Sequence, residues 1–184
     1  MILSTERLYL REMEHSDFQA LCAMLQDREV MYAYEHAFSD EEAWEWLNRQ
    51  IARYQTDGFG LWAVILKATG QMIGQCGLTW QDFNEKQVLE VGYLFRKDCW
   101  HQGYATEAAI ACKEYAFGVL HAGEVYSIIR DTNTASQNVA RRNGMKIVGR
   151  IVKHYYHMDM PHLVYCAPNP RCSRRSLPGS TDPR

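Results

Sequence analysis

The sequence predicts an α/β domain in which helices cover the faces of a mixed sheet. Two observations lead to this fold class. Segments that alternate polar and apolar residues, as strands do, occur between segments with helical periodicity and capping signals. The chain also has 184 residues, of which 47% are hydrophobic. This size suits a single domain whose core needs no disulfide or metal for stability.

The first half of the chain supplies a strand, two helices and a hairpin. In chain order these are a strand at 7–11, a helix at 16–26, a helix at 39–57, and hairpin strands at 61–67 and 72–80. Each helix starts at a predicted capping box, in which a serine is followed three residues later by Gln or Glu. A turn at Thr69 and Gly70 joins the two hairpin strands.

The second half alternates strands and helices. After a polar loop at 81–87, its elements are a strand at 88–95, a helix at 103–118, a strand at 124–130, a helix at 134–143, and strands at 145–153 and 157–167. Gly144 stands where a helix commonly ends. The unit from 88 to 130 is strand, helix, strand, so we expect a right-handed parallel crossover there.

Composition argues against several classes of function. The chain has 20 basic and 22 acidic residues, which gives no electrostatic footprint of a strong nucleic-acid binder. Its longest apolar run, 61–66, is far shorter than the roughly 20 residues that a membrane helix needs. Residues 1–7 carry no secretory pattern. We therefore expect a cytoplasmic protein that binds neither membranes nor nucleic acid directly.

The cysteines and histidines show no metal-binding or disulfide pattern. None of the six cysteines forms a CxxC pair, so they are interpreted as free thiols in a reducing cytoplasm. His154 and His157 lie three residues apart, but no third ligand has a matching spacing. No metal is predicted.

We expect the folded domain to comprise residues 1–167. The segment 168–180 contains three of the five prolines and almost no apolar residues, so it cannot bury enough surface to order itself. Residues 168–184 are therefore interpreted as a disordered tail or a segment foreign to the natural protein.

The most informative segment joins the strand 88–95 to the helix 103–118. Gly103 precedes the helix, Ala105 is small, and Thr106 offers a hydroxyl. Unpaired amides at a helix N-terminus bind anions, and a glycine lets the backbone approach a phosphate closely. A glycine before a helix can equally be an ordinary turn. The segment lacks the Lys-Ser/Thr ending of a P-loop and the glycine spacing of a dinucleotide site.

A second signature lies downstream, and its members are Asn133, Ser136, Val139, Gly144 and Met145. Together the two segments resemble the GNAT superfamily of acyl-CoA-dependent N-acetyltransferases, in its RimJ/RimL-like branch of ribosomal-protein acetyltransferases. The phosphate-loop pattern of this family falls on 100–105, with Trp100 in place of the usual Arg or Gln. The opening 5–11 is also similar to this branch, and the resemblance covers about 3–167.

The resemblance implies the GNAT fold, with a mostly antiparallel central sheet of about six to seven strands and about four helices. It implies acetyl-CoA as cosubstrate and no metal. The backbone that holds the pantetheine arm and the diphosphate would come from Val91, Gly92, Tyr93, Leu94, Gln102, Gly103, Tyr104, Ala105 and Thr106. Asn133 would direct its amide at the arm, cap its helix, or do both. Gly92 is either a bulge that separates this strand from its parallel neighbour or a relief of packing.

In this family the acetyl group passes directly from the thioester to an amine. Glu90 is the candidate base, because it is the lone carboxylate on an otherwise apolar strand and burial would raise its pKa. It acts directly or through a water, and the alternative is a solvated glutamate or an arginine partner. Ser136 is the candidate acid or thiolate-stabilising donor, since Ala140 occupies the position where related enzymes often have a tyrosine. The alternative is a serine that only caps its helix.

The acceptor is less well defined by the sequence. The resemblance places an acidic, aromatic pocket suited to a cationic amine at Tyr32, Tyr34, Glu35, His36, Trp80, Tyr155, Tyr156 and His157, although core packing explains aromatic residues equally well. One of Arg141, Arg142 and Lys146 would meet the CoA 3′-phosphate, unless they form a solvated face. The acceptor is a protein N-terminus or a small amine such as a polyamine or an antibiotic. A homodimer is left open, and the alternative function is a non-catalytic acyl-CoA-binding or regulatory module.

Overall fold

The structure is a computed structural model that describes residues 1–155 and 157–172, apart from the side chain of Tyr155. This part of the chain forms one sheet of eight strands and four α-helices. The strands are β1 (Leu3–Ser4), β2 (Leu8–Arg11), β3 (Leu61–Leu66), β4 (Met72–Phe83), β5 (Lys86–Phe95), β6 (Glu124–Arg130), β7 (Lys146–Tyr155) and β8 (Met158–Pro168). The helices are α1 (Phe18–Leu25), α2 (Asp40–Thr56), α3 (Tyr104–Gly118) and α4 (Thr134–Arg142).

The strand order across the sheet is β1-β2-β3-β4-β5-β6-β8-β7. Every neighbouring pair is antiparallel except β5 and β6, which are parallel and joined by α3. The mixed, mostly antiparallel sheet and the parallel crossover predicted from the sequence are therefore confirmed. The two-residue strand β1, which adds to one edge, was not predicted.

Helices pack on both faces of the sheet. In β3 the side chains of Leu61, Ala63 and Ile65 pack in one apolar cluster with α1 and α2. The alternate residues Trp62 and Val64 belong to a second cluster, which contains α3. Side chains alternate between faces along a strand, so a continuous apolar run serves both clusters. The buried α3 residues in the second cluster are mostly small: Ala108, Ala109, Cys112 and Ala116.

Three local features differ from the sequence prediction. The expected loop at 81–87 is a tight turn, because Asn84 and Glu85 both adopt positive φ and Phe83 pairs with Lys86. The Ser16 capping box does not form; instead the Asp17 carboxylate accepts from the Glu14 amide and from the Arg11 guanidinium. The third is the start of the predicted tail, which contacts the domain.

The chain from Pro168 to Cys172 packs on the domain instead of leaving it. Pro168 is the last residue of β8 and pairs with Glu124. Asn169 is buried, and its side chain donates to the Ala122 carbonyl at 2.8 Å. The Asn169 backbone amide also donates to the Gly123 carbonyl at 2.7 Å, so backbone and side chain together hold this segment on the domain. The rest of the predicted tail, 173–184, lies outside the described residues.

Within the described residues, no helix is long and apolar enough to cross a membrane. The same residues contain no group of three or more His, Cys, Asp or Glu side chains arranged to hold a metal ion. Of the six cysteines, all of which are free, four are buried.

Candidate active site

The site forms where the parallel strands β5 and β6 separate. Their register consists of the single pair Glu90 and Tyr126. Beyond this pair, hydrogen bonds between a side chain and the backbone link the two strands. The Ser127 hydroxyl donates to the Val91 carbonyl at 2.8 Å, and the Ile128 amide donates to Glu90 Oε1 at 2.9 Å. The Glu90 carboxylate is therefore held between the diverging strands.

The separation does not come from a bulge at Gly92, and that alternative is wrong. From Gly74 to Phe83, β4 pairs with β5 without a register shift, and Gly77 stands opposite Gly92. Where β5 and β6 separate, each keeps its antiparallel neighbour: β6 pairs with β8 along its whole length, and β5 pairs with β4. A bulge would shift this register by one residue.

Burial in the cleft raises the pKa of Glu90, because desolvation disfavours the carboxylate. The charges of Lys153 and Arg53 and the hydrogen bonds from Ile128 and Thr79 act in the opposite direction but do not cancel the effect. Thr79 Oγ1 lies 3.5 Å from Glu90 Oε2. A carboxylate with a raised pKa is a better proton acceptor near neutral pH.

The N-terminus of α3 offers free amides, as the sequence predicted. Gly103 precedes the helix with a φ of +82°, a left-handed conformation that glycine adopts readily. The backbone amides of Tyr104, Ala105 and Thr106 have no protein acceptor among the described residues. Such amides, together with the helix dipole, form an anion-binding site.

An ion pair that the sequence analysis missed secures this helix terminus. Arg7 donates through Nε to Glu107 Oε2 at 2.7 Å and through Nη1 to the Gln102 carbonyl at 2.9 Å. Thr5 and the Arg7 amide both donate to Glu107 Oε1. Burial raises the pKa of Glu107, but these bonds outweigh it and lower the pKa overall. The only local signal was the opening 5–11, whose partner is 100 residues away.

The N-terminus of α4 contacts the same region. Asn133 caps the helix by accepting from the Ser136 amide at 3.0 Å, and the Tyr32 hydroxyl donates to the same side chain at 2.7 Å. The Tyr93 hydroxyl donates to the Ser136 carbonyl at 2.8 Å. The cap role predicted for Asn133 is confirmed. Asn133 makes the helix cap, so the Ser136 hydroxyl is not needed for it.

Two cavities meet at this point. The larger, which we call the α3 cavity, has a volume of about 950 Å³. Its lining includes most of the predicted cofactor residues, namely Tyr93, Leu94, Gly103, Tyr104, Ala105, Thr106 and Asn133, and also the predicted catalytic residue Ser136. Arg142 lines it as well. Neither Arg141, which bonds to Gln137 and Asn138, nor Lys146 is part of this lining.

The smaller cavity, which we call the Glu90 cavity, has a volume of about 500 Å³. The two cavities share Val30, Tyr93, Leu94, Asn133 and Ser136. Val91 and Gly92 line the Glu90 cavity and not the α3 cavity. Gln102 lines neither cavity, and its side chain donates to the Asp98 carbonyl.

The Glu90 cavity is basic, whereas the sequence analysis expected an acidic, aromatic pocket. The charged side chains in its lining are Arg49, Arg53, Glu90, Arg130 and Lys153. His162 also lines it, with a pKa that burial lowers, and its Nδ1 bonds to the Met160 carbonyl. The arginines Arg49 and Arg53 lie four residues apart on α2, a spacing that places both on one helix face and that could have signalled the site.

Of the predicted acceptor residues, only Tyr34 lines the Glu90 cavity among those described. Tyr32 lines the α3 cavity, and the Glu35 carboxylate pairs with Arg130. His36 bonds to Glu42, Trp80 packs near Phe59, and His157 lies outside both linings. Tyr156 and the side chain of Tyr155 lie outside the described part of the chain.

Comparison with known proteins identifies the family. The model of the acetyltransferase (GNAT) domain matches residues 7–146. The chain belongs to the GNAT acetyltransferase family. The resemblance noted in the sequence is confirmed, and the protein is an N-acetyltransferase by family. The match includes Glu90, the α3 terminus and Ser136.

Two proteins of Bacillus subtilis (strain 168) are among its relatives. The uncharacterized protein YkkB is 37% identical over 78% of this chain and 84% of its own length. The uncharacterized N-acetyltransferase YnaD is 29% identical over 81% and 85%. A GNAT acetyltransferase from Bacillus anthracis has a similar structure, with a TM-score of 0.79, 23% identity, and coverage of 92% and 99% of the two chains.

Two further solved structures show that the fold does not decide the acceptor. The ribosomal-protein-S5-alanine acetyltransferase from Vibrio fischeri aligns with a TM-score of 0.73 and 16% identity, over 91% of this chain and 96% of its own. Spermidine N-acetyltransferase from Vibrio cholerae, in complex with CoA and spermine, has the same TM-score and identity, over 90% and 97%. The first is named for a protein acceptor and the second for a polyamine, although both share this fold to the same extent.

Proposed function

We propose that this protein transfers an acetyl group from acetyl-CoA directly to a primary amine in a ternary complex. The observation that carries the proposal is the meeting of two cavities at Tyr93, Leu94, Asn133 and Ser136, one with free helix amides and the other with a buried carboxylate. The α3 cavity takes acetyl-CoA, and the Glu90 cavity takes the amine. A protein N-terminus and a small amine both fit this general reaction.

The lining of the α3 cavity fits acetyl-CoA. The amides of Tyr104, Ala105 and Thr106 bind the diphosphate, because unpaired donors at a helix terminus attract anions. Arg7 compensates the Glu107 carboxylate, which would otherwise repel that diphosphate from the first helical turn. The exposed Arg142 guanidinium supplies a further phosphate contact. A structural neighbour of the same fold is in complex with CoA, which supports CoA as the ligand.

The pantetheine arm lies along β5 beyond Glu90. In this stretch β5 is no longer paired with β6, so its free edge can bond to an extended ligand as it would to another strand. Tyr93 is placed for this role at the junction of the cavities. Leu94 lies there too, but its backbone faces β4, where Leu94 pairs with Gln75 in the same alternation as Arg96 with Ile73. Val91 and Gly92 lie nearer the acceptor, and the Val91 carbonyl already accepts from Ser127. Gln102 supports the loop through its bond to Asp98.

Acetyl-CoA supplies an activated carbonyl carbon, where a C–N bond forms as the C–S bond breaks. Glu90 accepts the proton that the amine loses, directly or through a water. Its raised pKa brings this carboxylate closer to the pH at which it works. The Ser136 hydroxyl, which lines both cavities, donates to the departing thiolate. The transfer requires no metal and no cysteine.

The proposal is tested by incubating the purified protein with acetyl-CoA and a panel of amines that contains peptides, polyamines and amino acids. Mass spectrometry detects the acetylated amine. Acetyl-CoA at a hundred times its dissociation constant should stabilise the fold by about 2.7 kcal/mol in thermal denaturation. The absence of both product and stabilisation would contradict the proposal. Binding without any product across the panel would instead favour a non-catalytic acyl-CoA-binding module.

Ser136→Ala tests the thiolate donor. We expect kcat to fall about tenfold with little change in the KM for acetyl-CoA, since a hydrogen bond to a charged group contributes about 1.5–3 kcal/mol. The helix cap survives in this variant because Asn133 makes it. An unchanged kcat would remove Ser136 from the mechanism.

Cytoplasmic location, a homodimer, and a domain that ends near residue 167 stay predictions.

A further inference from the structure

The charge of the Glu90 cavity indicates the class of acceptor, an inference that rests on the proposed function. Four cationic side chains line the cavity against a single carboxylate. The cations are Arg49 and Arg53 on α2, Arg130 on β6 and Lys153 on β7. Three separate elements therefore direct positive charge into one space of about 500 Å³, which is the size of a small-molecule site.

Most of this charge makes no close ion pair with a carboxylate among the described residues. Arg130 pairs with Glu35. Within the described part of the chain, no carboxylate lies within 4.0 Å of a side-chain nitrogen of Arg49, Arg53 or Lys153. Arg53 bonds only to the neutral amide of Gln50, and Arg49 lies over the Trp46 ring.

The environment of Arg53 shows the same excess. Burial lowers its pKa, and the neighbouring charge of Arg49 lowers it further; the carboxylates of Asp57 and Glu90 act in the opposite direction but do not cancel this effect. In addition, Arg130 Nε is a buried donor without a partner among the described residues. A buried cation or donor that has no partner costs free energy, which a ligand can recover by pairing with it.

We propose that the acceptor is a small primary amine that also carries an oxyanion group, either a carboxylate or a phosphate-type group. The cations bind the oxyanion, and the amine faces Glu90. Guanidinium groups match carboxylate and phosphate oxygens in a two-point geometry. A polyamine would instead bring a second positive charge next to Arg49, Arg53 and Lys153, so the cavity disfavours it.

Amines that share one chain but differ at the far end test this inference. The series is δ-aminovalerate, its amide δ-aminovaleramide, the diamine cadaverine, and aminobutylphosphonate. Their reacting amines are alike, so differences report on the far group. Two quantities are measured for each: kcat/KM with acetyl-CoA, and the dissociation constant in the presence of CoA by calorimetry. The second does not depend on turnover.

We expect δ-aminovalerate or aminobutylphosphonate to bind and react at least about tenfold better than the amide, and cadaverine to be the poorest. Which of the two anions is better tells a carboxylate acceptor from a phosphate-type one. In the variant Arg49→Gln/Arg53→Gln the anion-to-amide ratio should fall below about threefold. Arg150→Gln is the matched control, because Arg150 is exposed, lies outside the cavity lining, and should leave the ratio unchanged.

The inference is overturned if the amide or cadaverine binds the CoA complex as tightly as both anionic amines, or if neither anionic amine binds measurably. It is also overturned if the arginine double variant keeps the full ratio. Failure of the proposed function has a different signature, in which the anionic amine binds selectively but no amine in any panel is acetylated.

Discussion

Replacement of Glu90 by glutamine separates two consequences of its position. Gln has the same size, and its amide oxygen can still accept the Ile128 amide, so the variant should fold like the wild type. The substitution removes the proposed proton acceptor and the buried charge together. We therefore expect activity to fall while the stability of the fold rises at neutral pH.

The loss of activity follows from general-base catalysis, which contributes about 10²–10⁴-fold to a rate. We expect kcat to fall about 10²–10³-fold at neutral pH. The wild type should lose activity as the pH falls through the raised pKa of Glu90, because the carboxylate becomes protonated. The variant should lack this acidic limb. The assay is acetylated product by mass spectrometry across a pH series, with an amine that the wild type acetylates.

The gain in stability follows from the direction of the pKa change. A folded-state pKa above the unfolded value of about 4.3 means that the native state holds the proton more tightly. The protonation of Glu90 therefore contributes fully to the stability of the folded wild type below about pH 4.3. This contribution is lost as the pH rises through the folded-state pKa. Each tenfold change in the acid constant corresponds to about 1.4 kcal/mol. For a domain of this size, that is a Tm difference of about 3–6 °C.

The variant should therefore melt above the wild type at neutral pH and together with it at low pH. Glu45→Gln on the exposed side of α2 is the control and should show neither effect. Wild-type turnover in Glu90→Gln would refute the role of Glu90 as the base. A melting difference that does not change with pH would refute the burial argument, whatever the activity.

Three further substitutions follow from the geometry. Thr79→Val removes a weak donor to the Glu90 carboxylate, so the acidic limb of the pH–rate profile should move upward by at most about one pH unit, whereas Thr79→Ser should leave it in place. Arg7→Gln leaves the Glu107 charge uncompensated beside the α3 amides; the KM for acetyl-CoA should rise about three- to tenfold, and an added Glu107→Gln should reverse part of the rise. Gly77→Ala places a Cβ against the Gly60 carbonyl and 2.8 Å from Leu61 Cα, so urea unfolding should show a loss of about 2 kcal/mol or more, while Gly123→Ala, with nothing within 4 Å, should be nearly neutral.

The fold was predictable because its signals are local. Alternating residues gave the strand at 7–11, an apolar run before the turn at Thr69 and Gly70 gave the first hairpin, and the Ser39–Glu42 capping box, which the structure confirms, gave the start of α2. The second hairpin was missed because Asn84 and Glu85 make a turn with two positive φ values and no glycine. The start of α1 was misplaced because Arg11, an ion-pair partner from a strand, engages Asp17 in place of the Ser16 box.

The position of the candidate site was predictable where a single element carries its residues. Glu90 was recognisable as a single carboxylate in an apolar strand, and the α3 terminus as a glycine followed by small residues. Residues whose role depends on distant contacts could not be recognised. Arg7 and Glu107 are an example, because their pairing needs β2 and the start of α3 to lie side by side.

The charge of the Glu90 cavity is the clearest case in which residues far apart in the sequence form one feature. The family resemblance suggested an acidic, aromatic pocket that includes Glu35, but in the structure this carboxylate pairs with Arg130. The cations Arg49, Arg53 and Lys153 each resemble an ordinary solvated residue of an amphipathic helix or an edge strand. These side chains come together around Glu90 only in the folded protein, in which β7 lies at the sheet edge beyond β8 and α2 packs on β3. In the proposed function, three separate elements therefore contribute the side chains at the acceptor end of the site, whereas the backbone of one loop serves the cofactor end.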